Sequence, residues 1–438
     1  MLAFIGILMV VVIIYCLMQS KATPSVVFIL VPIIAAFLAG FSFDQISGFI
    51  KSGVTTTWSI AVLFIFSIVY FGVMSDAGMF DPLVNYLTEK AGANVIMVTV
   101  ATALIATISH LDGALATTLL ITVPAMLPIY KKLNIRPVVL LVIIGAAMSI
   151  MNLLPWGGPV ARTVAITKMD VNLLWQSLIP LQIVGLIIVV GFAAAMGIME
   201  KRRGAGLKAG ATLEDGSEGV VAEELDPKVL ALKRPKLVWF NILLTVGVIA
   251  LLCLTKVPLY GAFMIGLALA LLVNYPKASD QAARIKAHAA EALSVPAILL
   301  ASGIFLGVLS GTKMLTAMAT AIINVIPAFV GPYLHIVLGI FSVPIGMLLG
   351  TDSFFFGLVP LAIGVGSQYG IEPTNMAKAM LIGKNFGVLV TPHAATTYLA
   401  IGLAGIDIKE LLRFCTPLLW LVGIISLACA VVMGIVVI

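Results

Sequence analysis

The chain has 438 residues, of which 61% are apolar and only 10% charged, with a formal net charge of +6. A soluble domain is nearer half apolar and a quarter charged, so a soluble fold of this length could not cover its surface. Disorder, a nucleic-acid-binding groove and a secreted disulfide scaffold are excluded with it, and the positive balance reads as loop lysines and arginines facing anionic lipid. The composition is that of an all-α polytopic membrane protein.

The apolar stretch from Leu2 to Gln19 has no basic region before it and no small-residue cleavage site after it, which predicts an uncleaved first helix. A membrane span takes about 20 mostly apolar residues. Such runs follow at roughly 25–42, 57–75, 94–109, 137–153 and 173–199. After residue 236 they resume at 238–255, 258–275, 293–310, 333–350, 376–391 and 415–437, for 11–12 transmembrane helices in all. Shorter apolar pieces at 113–130, 159–169, 314–330, 353–367 and 396–406 fit re-entrant hairpins or half-helices. Cys16, Cys253, Cys415 and Cys429 all lie inside apolar runs without CxxC spacing and read as small fillers.

Residues 200–236 hold 15 of the chain's 44 charged residues (25 basic and 19 acidic). This is a solvated linker dividing an N-terminal half, 1–199, from a C-terminal half, 237–438. Its basic residues cluster at its ends, which assigns it to the cytoplasm. Lys131, Lys132 and Arg136 argue the same for their loop. So do Lys277, Arg284 and Lys286, beside an amphipathic and interfacial stretch at 278–290.

The halves resemble each other. Pro24 matches Pro258, and Gly72-Val73-Met74-Ser75 matches Gly307-Val308-Leu309-Ser310. Pro124 and Pro137 match Pro360 and Pro373; Pro155, Asp170 and Pro180 match Pro392, Asp407 and Pro417. The offset drifts only from 234 to 237 across this series, which predicts two structural repeats. Internal repeats in a helical membrane protein mark secondary transporters. Whether the repeats are parallel or inverted stays open. The span count is even in each half, and inversion needs one of 238–255, 258–275 or 314–330 to lie in the interface.

The chemistry lies in polar residues set inside apolar runs. Asp112 and Asp352 occupy corresponding places, each between a span and a short apolar piece. An aspartate at the centre of a lipid-facing helix costs about 2.5–3.5 kcal/mol on insertion scales. Either both are surface helix caps, or each lies where a hairpin turns into the protein. The hairpins are expected at about 110–130 and 351–368. Two helices are broken: 137–169 by Pro155-Trp156-Gly157-Gly158-Pro159, and 376–406 by Thr391-Pro392-His393-Ala394. Unwound backbone at membrane depth survives only where protein or a water-filled cavity satisfies it. The new half-helix N-termini suit an anion.

Arg162 follows the first break and either holds substrate or neutralises Asp112. His393 is a candidate proton carrier. Lys384 either pairs with Asp352 or snorkels to the interface. Asn152, Asn385, Thr391, Thr396 and Thr397 offer neutral contacts. No GxxxxGK[ST], HExxH, GxSxG or His/Cys cluster occurs, so neither an ATP-driven motor nor an enzyme is expected.

The segments NLLPWGGPVAR (152–162), SHLDGALATTLLITVPAMLPIYKKL (109–133), GTDSFFFGLVPL (350–361) and GKNFGVLVTPHAATTYLAIGLAGID (383–407) resemble the citrate–metal–proton symporter family. That family belongs to a wider group of ion transporters which includes dicarboxylate/sodium symporters. The resemblance implies an inverted-repeat fold with two re-entrant hairpins and two discontinuous helices around a central site. It implies proton-driven uptake of citrate or a related carboxylate across the cell inner membrane, by a homodimer moving with an elevator-like step. No covalent cofactor is implied; Mg²⁺ or Ca²⁺ is a candidate co-substrate carried with citrate.

The candidate substrate-binding residues are Asp112, Gly113, Thr117, Thr118, Asn152, Pro155, Trp156, Gly157, Gly158 and Arg162 in the first half. In the second they are Asp352, Ser353, Asn385, Thr391, Pro392, His393, Thr396 and Thr397. Asp112, Asp352 and His393 are the candidates for proton coupling. The chain departs from the family pattern in three places. An acidic residue after Asp-Gly is replaced at Ala114-Leu115, the second break reads Thr-Pro-His-Ala, and Lys384 stands where the family has glutamine. A more positive site weighs against metal co-transport and leaves room for a free carboxylate. Another organic acid, or an ion exchanger or channel without organic substrate, is the alternative.

Overall fold

The computed structural model describes residues 1–19, 22–206, 227–255, 257–323, 327, 329–392 and 394–438. The described elements are all helical. The first half runs α1 (Leu2–Met18), α2 (Pro24–Leu38), α3 (Phe43–Asp76), α4 (Asp81–Ala91), α5 (Val95–Ser109), α6 (Leu115–Lys132), α7 (Pro137–Met151), α8 (Gly158–Thr167) and α9 (Val171–Arg202). A single turn, α10 (Pro227–Leu230), precedes the second half. There follow α11 (Val238–Leu254), α12 (Leu259–Asn274), α13 (Ala278–Gly311), α14 (Met314–Ile323), α15 (Leu334–Leu349), α16 (Val359–Gln368), α17 (Pro373–Asn385), α18 (Ala395–Ala404) and α19 (Ile408–Val432). A π-helical turn, Ser353–Leu358, leads into α16. Most of the expected linker, 207–226, lies outside the described residues, as does His393.

Helices recur in the same order in both halves, α1–α9 answering to α11–α19. The partners α3 and α13 each have 34 residues, and α8 and α18 each have 10. Local chemistry starts equivalent helices at equivalent places. Asp170 caps α9 by accepting from the Asn172 and Leu173 amides at 2.9 and 3.1 Å, and Asp407 caps α19 by accepting from the Lys409 amide at 2.6 Å. Pro137 and Pro373 open α7 and α17, where a missing N–H costs nothing.

The helices α3 and α13 form the longest packed pair, and their contacts fix the sense of the repeat. Gly53 and Thr57 of α3 meet Gly303 of α13, while Phe49 meets Gly311. At the other end Asp76 meets Arg284 and His288. As one chain ascends the other descends, so these equivalent helices are antiparallel, as inverted repeats require. The crossing is close because glycine lines it: a Cβ on Gly53 would stand 1.9 Å from the Gly303 carbonyl oxygen. The stretch 278–290, expected to be amphipathic and interfacial, is the first third of α13. Its Arg284 and His288 turn inward to Asp76 at 3.0 and 2.9 Å.

Seven helical stretches among the described residues are long and apolar enough to cross a membrane, against the 11–12 spans expected. Seven shorter apolar helices of 10–17 residues accompany them. The 15-residue α7 and 10-residue α8 each fall short of a bilayer core about 30 Å thick, and suffice only in series. Hairpin limits also differ from expectation. A turn at His110–Gly113 joins α5 to α6, which pack together. The helical hairpin therefore takes in the run 94–109 as well as the expected 110–130, although Val95–Asp112 is itself long and apolar enough to cross a membrane. In the second half α15 leads through Gly350, at φ +77°, into the turn before α16 in the same way.

Arg136, one of the loop cations, is an ion-pair partner of Glu200. Its Nε donates to Glu200 Oε1 at 2.8 Å and its backbone N–H to Oε2 at 3.1 Å, while Arg203 Nε donates to Oε2 at 3.0 Å. This pins the end of fully buried Glu200's helix α9 to the loop before α7.

Candidate functional site

The first hairpin turns on Gly113, whose φ of +72° no side chain adopts comfortably. A Cβ there would meet the Trp156 carbonyl oxygen at 3.2 Å, so glycine also lets the tip touch the first helix break. Asp112 accepts the Ala114 N–H at 2.8 Å, closing the turn. Two side chains then tie tip to break. Trp156 Nε1 donates to the Leu111 carbonyl at 2.7 Å, and His110 bridges the Thr118 hydroxyl (2.6 Å) and the Asn152 side-chain oxygen (3.2 Å). His110 was not among the candidates from the sequence. It is fully buried, and its place beside Asp112 in SHLDG was the signal.

The first break holds α7 and α8 apart through Asn152–Gly157. Gly157 is required there, because a Cβ would lie 2.3 Å from the Asn152 carbonyl oxygen. Pro155 lies in the fully enclosed run between Asn152 and Gly157. The second break is knitted by threonines. Thr391 Oγ1 donates to the Gly387 carbonyl at 2.8 Å, and Thr397 Oγ1 reaches the Leu389 and Thr391 carbonyls at 2.9 and 2.7 Å. Pro392 turns the chain there. The two breaks are adjacent: Ser149 Oγ at the end of α7 donates to the Asn385 carbonyl at the end of α17, 3.0 Å away.

A cavity of about 260 Å³ opens where these parts meet, lined by Asp112, Gly113, Asn152, Trp156, Gly158, Arg162, Thr351, Val388 and Thr396. Its volume is near the lower end for small-molecule sites. The N-terminal turns of α6, α8 and α18 contribute to its wall through Ala116, Pro159 and Thr396. Free N–H groups and the positive ends of helix dipoles therefore surround it. Thr117 faces a neighbouring cavity, also about 260 Å³, with Asp112, Asp76, His288 and Glu291. A third cavity, of about 620 Å³, lies at the second tip against Asp352, Ser353 and Thr391.

Glu291 lines both 260 Å³ cavities and was missed in the sequence. Its signal was an acid two residues before the apolar run 293–310, just past the stretch 278–290 assigned to the interface.

Arg162 lines the cavity but pairs with Asp352 rather than with Asp112. Its Nε and NH2 both approach Asp352 Oδ1, at 2.8 and 2.7 Å, and NH1 donates to the Gly158 carbonyl at 3.1 Å. The pair joins the half-helix of one repeat to the hairpin tip of the other. Asp352 accordingly caps no helix. Lys384, expected beside Asp352 or at the interface, is fully buried, and among the described residues its Nζ has no hydrogen-bond partner. Buried and unpartnered with it are both amide atoms of Asn385, Ser353 Oγ and Asn152 Nδ2. So many unsatisfied polar groups around one site are the mark of a place that takes ligand or water. No three His, Cys, Asp or Glu side chains among the described residues group as a metal site.

The citrate transporter family model matches residues 1–383 of the chain. The chain belongs to the citrate transporter family. Members of that family are transporters, not enzymes. Within it, the chain is 37% identical to a citrate transporter of Bacillus subtilis, over 100% of both chains. It is 34% identical to that organism's Mg(2+)/citrate complex secondary transporter, over 99% of each. Among solved structures, the YdaH transporter of Alcanivorax borkumensis, of unusual topology, aligns with a TM-score of 0.59 at 14% identity, covering 88% of this chain and 87% of that one. The MtrF efflux pump of Neisseria gonorrhoeae aligns with a TM-score of 0.52 at 15% identity over 91% and 84%. At such identities these two speak for the fold alone.

Proposed function

We propose that the protein is a secondary active symporter which carries citrate, free or as a divalent-metal complex, together with protons. The supporting observation is the cavity at the adjoining helix breaks, ringed by helix N-termini and by Arg162. Citrate is a trianion at neutral pH, and Asp112 and Glu291 beside it add negative charge. A cation must offset the sum. Mg²⁺ or Ca²⁺ bound by citrate's own carboxylates is one source and reduces the cargo to a single negative charge. Glu291 brings a second carboxylate to the cavity where the family's acidic residue after Asp-Gly is missing, and this supports the complex over the free acid. The metal is then cargo.

Protons are the other source. An anion beside a carboxylate favours its protonated form, so citrate and a proton at Asp112 bind together. Asp352, held by Arg162, is a second carrier when that pair opens. In this reading each half crosses the inner membrane five times, through α1, α2, α3, the pair α7–α8 and α9 or their counterparts. The hairpins α5–α6 and α15–α16 enter and return. The halves work as an elevator in a homodimer, and residues 200–236 lie in the cytoplasm.

Citrate uptake into proteoliposomes tests the reading. Wild type is expected to accumulate labelled citrate faster as external pH falls, and Asp112→Asn to lose that pH dependence; identical profiles remove Asp112 from the coupling. Thermal shift with citrate, with and without Mg²⁺ and Ca²⁺, separates the cargo forms. Ligand at 100-fold its Kd stabilises the folded state by about 2.7 kcal/mol, and only the transported species is expected to do so.

A further inference from the structure

One buried charged side chain has no part in that symport scheme. Lys384 ends α17 beside the second break, and its stem lies across Gly346 of α15. A Cβ at Gly346 would meet Lys384 Cδ at 2.1 Å and Nζ at 3.1 Å. The amine is wholly enclosed and, among the described residues, unbonded. Of the elements packed most extensively on α17, which are α8, α15, α16 and α19, among the described residues α8 brings a charge to bear on it, through Arg162. Asp352, at the tip following α15, supplies the opposite charge. That carboxylate is already committed to Arg162 through two N–H groups at 2.8 and 2.7 Å.

An ammonium left unpaired in an enclosed place is costly, and a neutral amine is not. A negative charge brought close reverses the balance. We propose that the Lys384 amine takes up one of the protons that travel with the substrate. A carboxylate arriving in the cavity draws the Arg162 guanidinium to itself. Asp352 is released, its charge turns to Lys384, and the amine gains a proton from the aqueous side to become the ammonium partner of Asp352. When the substrate leaves, Arg162 recaptures Asp352 and the proton is given up. The unpartnered Asn385 amide and Ser353 hydroxyl next to the two residues can accept from or donate to either form. This rests on the reading that a carboxylate moves with protons, and adds a carrier that is an amine rather than a carboxylate.

The test counts protons. Citrate binding to the purified full chain is measured by calorimetry in buffers of different ionisation enthalpy, which yields the protons taken up per citrate. Lys384→Met and Lys384→Gln are expected to bind citrate, with and without Mg²⁺, but to take up one proton fewer. Their proteoliposome uptake should lose one unit of slope against pH, a factor of ten per pH unit. An unchanged proton count in either folded variant overturns the proposal. If neither variant folds, the lysine is structural and the proposal is likewise overturned. A wild type that binds no citrate removes the underlying reading, and the wild-type trace alone distinguishes that outcome.

Discussion

At the level of single residues, the site depends on charges whose partners come from the other half of the chain. Arg162 lies 190 residues from Asp352. A guanidinium that serves a carboxylate from two nitrogens cannot be replaced by a point charge on a flexible stem. Arg162→Lys is expected to lower citrate uptake at least tenfold, about 1.4 kcal/mol, with the protein still folded by size-exclusion profile; near-normal uptake would mean the fork is dispensable. Glu200 is a structural counterpart. Removing one partner of a buried ion pair costs about 3–5 kcal/mol, and less here because Arg136 and Arg203 are partly exposed. Glu200→Gln is expected to destabilise by about 2 kcal/mol, read as a lowered Tm in detergent, without altering the pH profile of uptake. Arg162 and Asp352 themselves stood out in the sequence, set among apolar neighbours, whereas Glu200 lay in the charged stretch read as linker. The pairings did not stand out, because nothing in one dimension chooses between Asp112 and Asp352 for Arg162.

At the level of elements, two kinds of glycine act differently. Gly157 shapes a break, and Gly53 permits a crossing. Gly157→Ala puts a methyl group 2.3 Å from the Asn152 carbonyl oxygen, so the break must reshape and citrate uptake is expected to fall by tenfold or more while the helices persist by circular dichroism. Gly53→Ala drives a methyl group into the Gly303 backbone at 1.9 Å. Overpacking of this kind costs about 1–3 kcal/mol, and the expected result is a lowered Tm; an unchanged Tm would show that α3 and α13 slide apart freely. The breaks at PWGGP and TPHAAT were legible because proline, with glycine or threonine beside it, interrupts the backbone ladder of an apolar helix wherever that helix packs. Hairpin limits were not legible, since an arm such as α5 is as apolar as a true span.

For the whole molecule, the antiparallel packing of α3 against α13 settles a question that hydropathy left open. Counting apolar runs suggested an even number of crossings per half, which makes repeats parallel. Inversion demands an odd number, which the proposed re-entrant pairing of α5 with α6 and of α15 with α16 would supply. Inversion also places equivalent loops on opposite faces of the membrane. A single cysteine at position 217, introduced as Ser217→Cys in a cysteine-free background, is expected to react with an impermeant maleimide only in inside-out vesicles. One at Gln368, the counterpart of Lys132, is expected to react only in right-side-out vesicles. Labelling of both from the same face contradicts the inverted arrangement.

Membrane residence, the division into two similar halves and the positions of the helix breaks were determined by the sequence alone. Each is a property of composition or spacing along the chain, where a run of apolar residues or a misplaced proline carries its meaning without reference to distant neighbours. The tertiary structure alone decided that the repeats oppose each other, that Glu291 joins Asp112 in one cavity, that Arg162 belongs to Asp352 and that Lys384 is enclosed without a partner. These depend on which residues of the two halves are brought within a few ångströms, and that is set by glycine-lined helix crossings and shared cavities rather than by any local pattern.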